Sequence, residues 1–163
     1  MSAPDIEAKI IEIPIDGTPY RVVDWNDSRM LMVKGNNDSI HSVMLLSAPD
    51  VLAPPYARVM LHALPFAPRL DDILLIGLGG GDLTKFLYRR LPATRLVAVE
   101  IDPHIVGIAR SYFKVPPDDE RLTVVVGDGR DYIETHSHCC DVLLCDGYDQ
   151  TFNVPDSLSG EDF

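Results

Sequence analysis

The sequence predicts an α/β fold, a parallel sheet flanked by helices behind a small antiparallel β unit. Three observations carry this. From Leu70 onward, short apolar runs alternate with helical patterns, the order that builds a parallel sheet with crossover helices. The first run, Ile73-Leu74-Leu75-Ile76, breaks into Gly77-Leu78-Gly79-Gly80-Gly81-Asp82 and then a helical pattern, and the second ends on Val99-Glu100-Ile101-Asp102. The first 50 or so residues, by contrast, hold short β-rich segments separated by turn residues. Strand, tight turn, helix and a second strand with a carboxylate at its tip outline a Rossmann-like nucleoside-binding crevice.

Taken in order, Ile10-Ile11-Glu12-Ile13, Tyr20-Arg21-Val22-Val23 and Met30-Leu31-Met32-Val33 read as strands, with turns at Asp16-Gly17 and Gly35-Asn36-Asn37-Asp38. Ile40 to Leu46 closes the sheet, so residues 1–52 are expected to form the β unit and residues 53–163 the nucleoside-binding domain. Pro54 to Leu64 carries apolar residues at helical spacing behind two starting prolines, with His62 as a helix-face residue. Parallel strands follow at 73–77, 96–100, 122–126 and 141–145, apolar-rich as strands covered on both faces should be, and Cys145 reads as core. Between them, Leu83 to Leu91 and Pro103 to Phe113 read as helices, the latter with Asp102 as N-cap and Pro103 in the first helical position. The chain stops at Gly160-Glu161-Asp162-Phe163, shortly after the fourth parallel strand, so the sheet reads as truncated at its C-terminal end.

Composition narrows the function classes. At 46% hydrophobic, 163 residues can bury a proper core. No apolar run approaches the ~20 residues of a membrane span, and the acidic N-terminus lacks a signal-peptide pattern. A cytoplasmic protein without membrane contact is the expectation. The net charge of −11 argues against a nucleic-acid partner and suits a cationic small substrate. Three cysteines make no disulfide framework. His136-Ser137-His138-Cys139-Cys140 has zinc-type side chains but no second ligand pair, so it reads as a loop and no metal is expected.

The glycines refine the ligand. A dinucleotide site wants G-x-G-x-x-G, so that the third glycine packs the helix close and its N-terminus receives a pyrophosphate. Here the glycines fall at Gly77, Gly79 and Gly81, and the third position is Asp82, whose charge repels phosphate. That favours an unphosphorylated adenosyl ligand such as S-adenosylmethionine, unless Asp82 serves only to cap the next helix. Glu100, 19 residues beyond Gly81, is placed to accept from ribose hydroxyls. Asp128-Gly129 follows the third parallel strand, either as an acceptor for an adenine amino group or as a turn pair. Asp146-Gly147-Tyr148-Asp149 follows the fourth, where two carboxylates can point at one cation or bond within their loop. Asp146, directly at the strand end, is the better candidate for chemistry.

His41-Ser42-Val43-Met44, Tyr56-Ala57-Arg58-Val59-Met60, Ile73 through Tyr88, Val99-Glu100-Ile101-Asp102, Gly127-Asp128-Gly129-Arg130-Asp131 and Asp146-Gly147-Tyr148-Asp149 together carry a resemblance. Residues from about 40 to 155 resemble the spermidine/spermine synthase family, the polyamine aminopropyltransferases, and more closely its bacterial spermidine synthase-like proteins. The resemblance implies a small β domain before an adenosylmethionine-type α/β domain, in a homodimer. It implies aminopropyl transfer from decarboxylated S-adenosylmethionine to an amine such as putrescine, leaving methylthioadenosine. Glu100 would hold the ribose, Asp128 with Gly129 the adenine, Asp146 the attacking amine, and Asp149 the cationic substrate. Tyr148, Asp82 and His41 are the further candidate substrate contacts. Four positions depart from the family pattern: Gly80 stands where an aspartate is usual, Ile40 and His41 replace a tyrosine and glutamine, and Gln150 replaces a proline. Two other readings stay open, a methyltransferase using intact S-adenosylmethionine and a catalytically silent adenosyl-binding module.

Overall fold

The structure is a computed structural model that describes residues 9–12, 20–33, 39–136, 140–148 and 153–159. The expected turns at Asp16-Gly17 and Gly35 to Asp38, together with Asp149, His138 and Cys139, lie outside the described residues. The N-terminal unit is a four-stranded antiparallel sheet in the order β1 (Lys9–Glu12), β2 (Tyr20–Trp25), β3 (Ser28–Val33), β4 (Ser39–Leu45). Strands β2 and β3 run further than the sequence suggests, into a two-residue turn at Asn26-Asp27 with Trp25 paired to Ser28. Asn26 sits at φ 53°, a left-handed conformation that asparagine tolerates better than most residues.

The second unit begins with α1 (Pro55–Met60), which tightens into a 3-10 segment over Leu61–Phe66. The sequence pattern suggested one continuous helix to Leu64; Pro65, within the 3-10 segment, lacks the N–H that an α-helical continuation would use. There follow β5 (Asp72–Ile76), α2 (Asp82–Arg90), β6 (Arg95–Glu100), α3 (Pro103–Tyr112), β7 (Leu122–Val126), α4 (Gly129–Thr135) and β8 (Val142–Cys145). All pairings among these strands are parallel, in the order β7-β6-β5-β8. Only β5 and β6 are therefore flanked on both sides within the sheet.

That order corrects one expectation. Val142 and Leu144 of β8 are buried, but Leu143 and Cys145 are exposed, so Cys145 is not core and β8 is not covered on both faces. At the other edge Val126 is 51% exposed. An apolar strand composition does not say which strands end up at the edges.

Three apolar clusters form among the described residues; the smallest is Leu74, Ile76 and Val99 of the parallel sheet, and the other two are larger. One joins Ile73 and Leu75 of β5, Leu96 and Ala98 of β6, Leu87 of α2 and Ala109 of α3. The other joins Tyr20, Val22, Leu31, Val33 and Met44 from the inner face of the antiparallel sheet to Ile105, Ile108 and Phe113 on and beside α3. The N-terminal sheet is thus packed on α3, and polar ties fix the contact. The Tyr20 hydroxyl donates to Asp102 at 2.6 Å, and Arg29, paired with Asp24, donates to the Tyr112 carbonyl at 2.9 Å. Asp102 also caps α3 by accepting from the His104 amide at 2.8 Å, with Pro103 next in line, as expected.

Gly107 lies in the middle of α3 on its exposed face, and a Cβ there would meet nothing within 4 Å. Gly107→Ala is expected to raise the unfolding free energy by about 0.5–1 kcal/mol, because alanine loses less backbone freedom in a helix. Urea denaturation checks it; unchanged or lowered stability would contradict it. Among the described residues, no helix is long and apolar enough to cross a membrane.

Candidate active site

A cavity of about 730 Å³ opens at the carboxyl ends of the parallel strands, between them and the N-terminal sheet. Its floor is the glycine loop after β5. Gly77 sits at φ 91°, and a Cβ there would overlap the backbone carbonyl of Asp146, so this glycine lets the loops after β5 and β8 close against each other. The Gly77 amide donates to the Val99 carbonyl and the Asp146 amide to the Ile76 carbonyl, each at 2.8 Å. Gly79 and Gly81 are also left-handed, at φ 54° and 71°.

Glu100, 9% exposed at the tip of β6, faces this loop. Its carboxylate accepts from the amides of Leu78 at 2.8 Å, Gly79 at 3.4 Å and Asp102 at 3.1 Å. A carboxylate offers about four acceptor positions, so three amides leave room for one further donor. Asp128 stands at the start of α4, after β7. It caps α4 by accepting from the amides of Arg130 at 2.7 Å and Asp131 at 3.4 Å, while its second oxygen accepts from the Ser157 hydroxyl at 3.0 Å. Asp128 and Gly129 nonetheless line the cavity.

Asp146, at the end of β8, accepts from the Tyr56 hydroxyl at 3.1 Å. Burial pushes its carboxyl up to about 6; the Tyr56 bond pulls the other way and the Asp82 charge adds to the rise. The Tyr56 phenol is itself raised, by burial first and the Asp146 charge second. Tyr148, 52% exposed, stands on the rim, and His41 lines the wall from β4. Asp149 is outside the described residues.

Asp82 does not act as an N-cap; Gly81 occupies that position and makes no side-chain bond. The Asp82 side chain sits on the cavity wall with Lys85 Nζ 3.7 Å away. Burial raises its carboxyl, against the pull of Lys85, the Val43 amide and the Ser42 hydroxyl.

The structure thus brings Gly77, Gly79, Glu100, Asp128, Gly129, Asp146, Tyr148, Asp82 and His41 to one cavity, while Gly81 braces the loop from outside it. Sequence reasoning missed Tyr56, Ser42 and Lys85 as contributors to the site. Tyr56 lies 90 residues from Asp146, and nothing in spacing alone connects them. Lys85 had a usable signal, since a charge three residues after Asp82 shares a helix face with it.

A parallel sheet with a glycine loop, a strand-tip glutamate and a strand-tip aspartate around one cavity defines an α/β domain of the S-adenosylmethionine-methyltransferase-like class. The comparisons narrow the class. Residues 54–158 match the spermine/spermidine synthase domain, and the chain belongs to that family. It is 38% identical over 128 residues to the polyamine aminopropyltransferase of Neisseria meningitidis serogroup A, covering 78% of this chain and 48% of that protein. The chain therefore spans about half the length of the curated relatives it matches. A probable spermidine synthase from Corynebacterium glutamicum shares the fold at a TM-score of 0.67 and 20% identity, over 89% of this chain and 56% of that one. Human methyltransferase-like protein 13, in complex with SAH, aligns at 0.54 and 28% identity, over 60% of this chain and 49% of its own.

Proposed function

We propose that this protein transfers an aminopropyl group from decarboxylated S-adenosylmethionine to a primary amine, with Asp146 as the proton acceptor. The observation that carries this is the Asp146 carboxyl, raised to about 6 at the strand tip and bonded to Tyr56 beside the glycine loop. A free amine has a pKa near 10.4 and a free aspartate near 3.9, so unassisted proton transfer between them is strongly uphill. Burial narrows that gap from the acid's side, and desolvation of a bound ammonium narrows it from the other.

The reaction balances simply. The amine nitrogen attacks the aminopropyl carbon bonded to the sulfonium, the C–S bond breaks, and its electron pair goes to sulfur. The products are methylthioadenosine and an aminopropylated amine, and the proton passes through Asp146 to solvent. Alignment of nitrogen, carbon and sulfur supplies a large part of the acceleration. In this reading Glu100 takes a ribose hydroxyl with its remaining acceptor position, and Gly77 and Gly79 let the nucleoside approach the backbone. Gly81 shapes the turn into α2. Asp128 and Gly129 border the adenine, Tyr148 and His41 flank the amine, and Asp149 is the cation contact that the resemblance implies. A homodimer in the cytoplasm, as the resemblance and composition imply, is compatible with this function.

Glu100→Ala is expected to weaken methylthioadenosine binding by about 1–3 kcal/mol, the loss for hydrogen bonds to a charged group. Titration calorimetry reads it, and unchanged affinity would remove Glu100 from the nucleoside contact. The function itself is tested by supplying decarboxylated S-adenosylmethionine with a panel of primary amines and measuring methylthioadenosine. Amine-dependent release supports aminopropyl transfer. The likeness to human methyltransferase-like protein 13 favours a second reading, methyl transfer. Formation of S-adenosylhomocysteine from the intact donor, with no methylthioadenosine from the decarboxylated one, would establish that reading instead.

A further inference from the structure

Resting on the ribose role given to Glu100, we infer that Tyr20 of the N-terminal sheet is a positioning residue for the nucleoside: its hydroxyl holds Asp102, and Asp102 fixes the oxygen of Glu100 that meets the ribose. The Glu100 carboxylate is filled unevenly. Its Oε2 accepts from two amides of the glycine loop, Leu78 at 2.8 Å and Gly79 at 3.4 Å, while Oε1 accepts from one, Asp102 at 3.1 Å. Each carboxylate oxygen offers about two acceptor positions, so among the described residues the open one lies on Oε1, beside the Asp102 amide. Whatever sets Asp102 therefore sets the direction in which Glu100 can take a ligand hydroxyl.

Asp102 is held from two sides. Its Oδ1 accepts from the His104 amide at the start of α3, and its Oδ2 accepts from the Tyr20 hydroxyl at 2.6 Å, across 82 residues of sequence. The hydroxyl is a fixed point. Tyr20 is 4% exposed, is paired with Val33 in the sheet, and packs with Ile105 and Ile108 of α3. A close-packed ring on a paired strand keeps one rotamer, so its hydroxyl has little room to move. Tyr20 and Asp102 both line the cavity, which places this bond in the nucleoside crevice itself.

The same sheet holds the other side of the Glu100 carboxylate. Ser42 of β4 accepts from the Gly80 amide at 2.6 Å, and a Cβ on Gly79 would lie 2.8 Å from the Ser42 hydroxyl oxygen. The loop that fills Oε2 is thus seated on β4, while β2 acts on Oε1 through Tyr20 and Asp102. The chain of contacts Tyr20, Asp102, Glu100, glycine loop, Ser42 begins and ends in the N-terminal sheet. That sheet aims the remaining acceptor position of Glu100 at the ligand. Tyr20→Phe keeps the ring and its packing, so it removes the aim of Oε1 and little else.

Calorimetric titration of the full chain with two uncharged probes tests this: methylthioadenosine, and an analogue of it lacking both ribose hydroxyls. The wild type is expected to prefer methylthioadenosine. Tyr20→Phe should weaken methylthioadenosine by about 2- to 10-fold, the worth of one hydrogen bond, and leave the analogue within roughly twofold of its wild-type affinity. In a Glu100→Ala background the same change should weaken methylthioadenosine no further, because both residues act through one contact. Asp102→Ser keeps an oxygen to cap α3 but has no second one for Tyr20. It carries the same expectation, stands in if Tyr20→Phe does not fold, and combined with it should lose no more than either change alone. A purely structural role would weaken both probes alike. Such a parallel loss, a loss that persists in Glu100→Ala, or unchanged methylthioadenosine affinity in either single variant overturns the positioning role while leaving the ribose contact standing. Equal affinity of the wild type for the two probes overturns the ribose role of Glu100, and failure to bind methylthioadenosine overturns the nucleoside reading; either result removes this inference too.

Discussion

Asp146→Asn is expected to lower turnover by about two to four orders of magnitude, the usual contribution of a positioned acid or base. The substitution keeps the size of the side chain and an oxygen that can accept from Tyr56, so the wall of the cavity should stay in place. Only the capacity to take a proton is lost. Affinity for methylthioadenosine should remain within a few fold, since Glu100 and the glycine loop, which carry the nucleoside contacts, are unchanged. Initial rates and calorimetry on the same preparation separate the two effects. Full turnover by the asparagine variant would remove Asp146 from the mechanism.

Gly77→Ala should be the most damaging of the glycine changes considered, lowering stability by about 2–4 kcal/mol from the sum of backbone strain and overpacking. The residue is held at φ 91°, and its missing side chain is the space occupied by the Asp146 backbone. Relief of the clash must move the loop after β8, so surviving activity should fall with the stability. Urea denaturation gives the first number and initial rates the second. A variant as stable as wild type would mean that the two loops are not tightly apposed. The contrast with Gly107→Ala, expected to change stability in the opposite direction, isolates what the crevice demands of Gly77 from what a helix asks of any glycine.

The four parallel strands and the two longer helices could be read from the sequence because each carries its own periodicity or apolar run. The strand limits differ from the observed ones by a residue at most. Asp102 could be assigned as a cap because its signal, Asp then Pro at a helix start, is local. Helix α4 could not be seen: it is seven residues long and opens on Asp128-Gly129, a pair that reads equally well as a turn. Cys145 reads as core but is exposed, because burial at the end of β8 depends on strand order, a property of the whole sheet.

The site divides in the same way. Glu100 and the glycines announce themselves by spacing, and Asp146 by its place after an apolar strand. The partners that set their chemistry come from elsewhere: Tyr56 from α1, and Ser42 from β4 across the boundary with the N-terminal sheet. These are long-range contacts that one sequence does not encode in any local pattern. The apparent absence of an acid at position 80 is resolved by packing, since Ser42 and Phe113 fill the space a side chain there would need.

The pH dependence of kcat/KM for the amine, with decarboxylated S-adenosylmethionine saturating, tests the proton-accepting role of Asp146 most directly. Its carboxyl is raised to about 6, so below that pH it is protonated and cannot take the proton of an incoming ammonium. The rate constant should climb tenfold per pH unit below about 6 and level off above it, until the free amine itself titrates near 10. A profile flat from pH 4.5 to 8, or the same acid limb in residual activity of Asp146→Asn, would contradict the assignment.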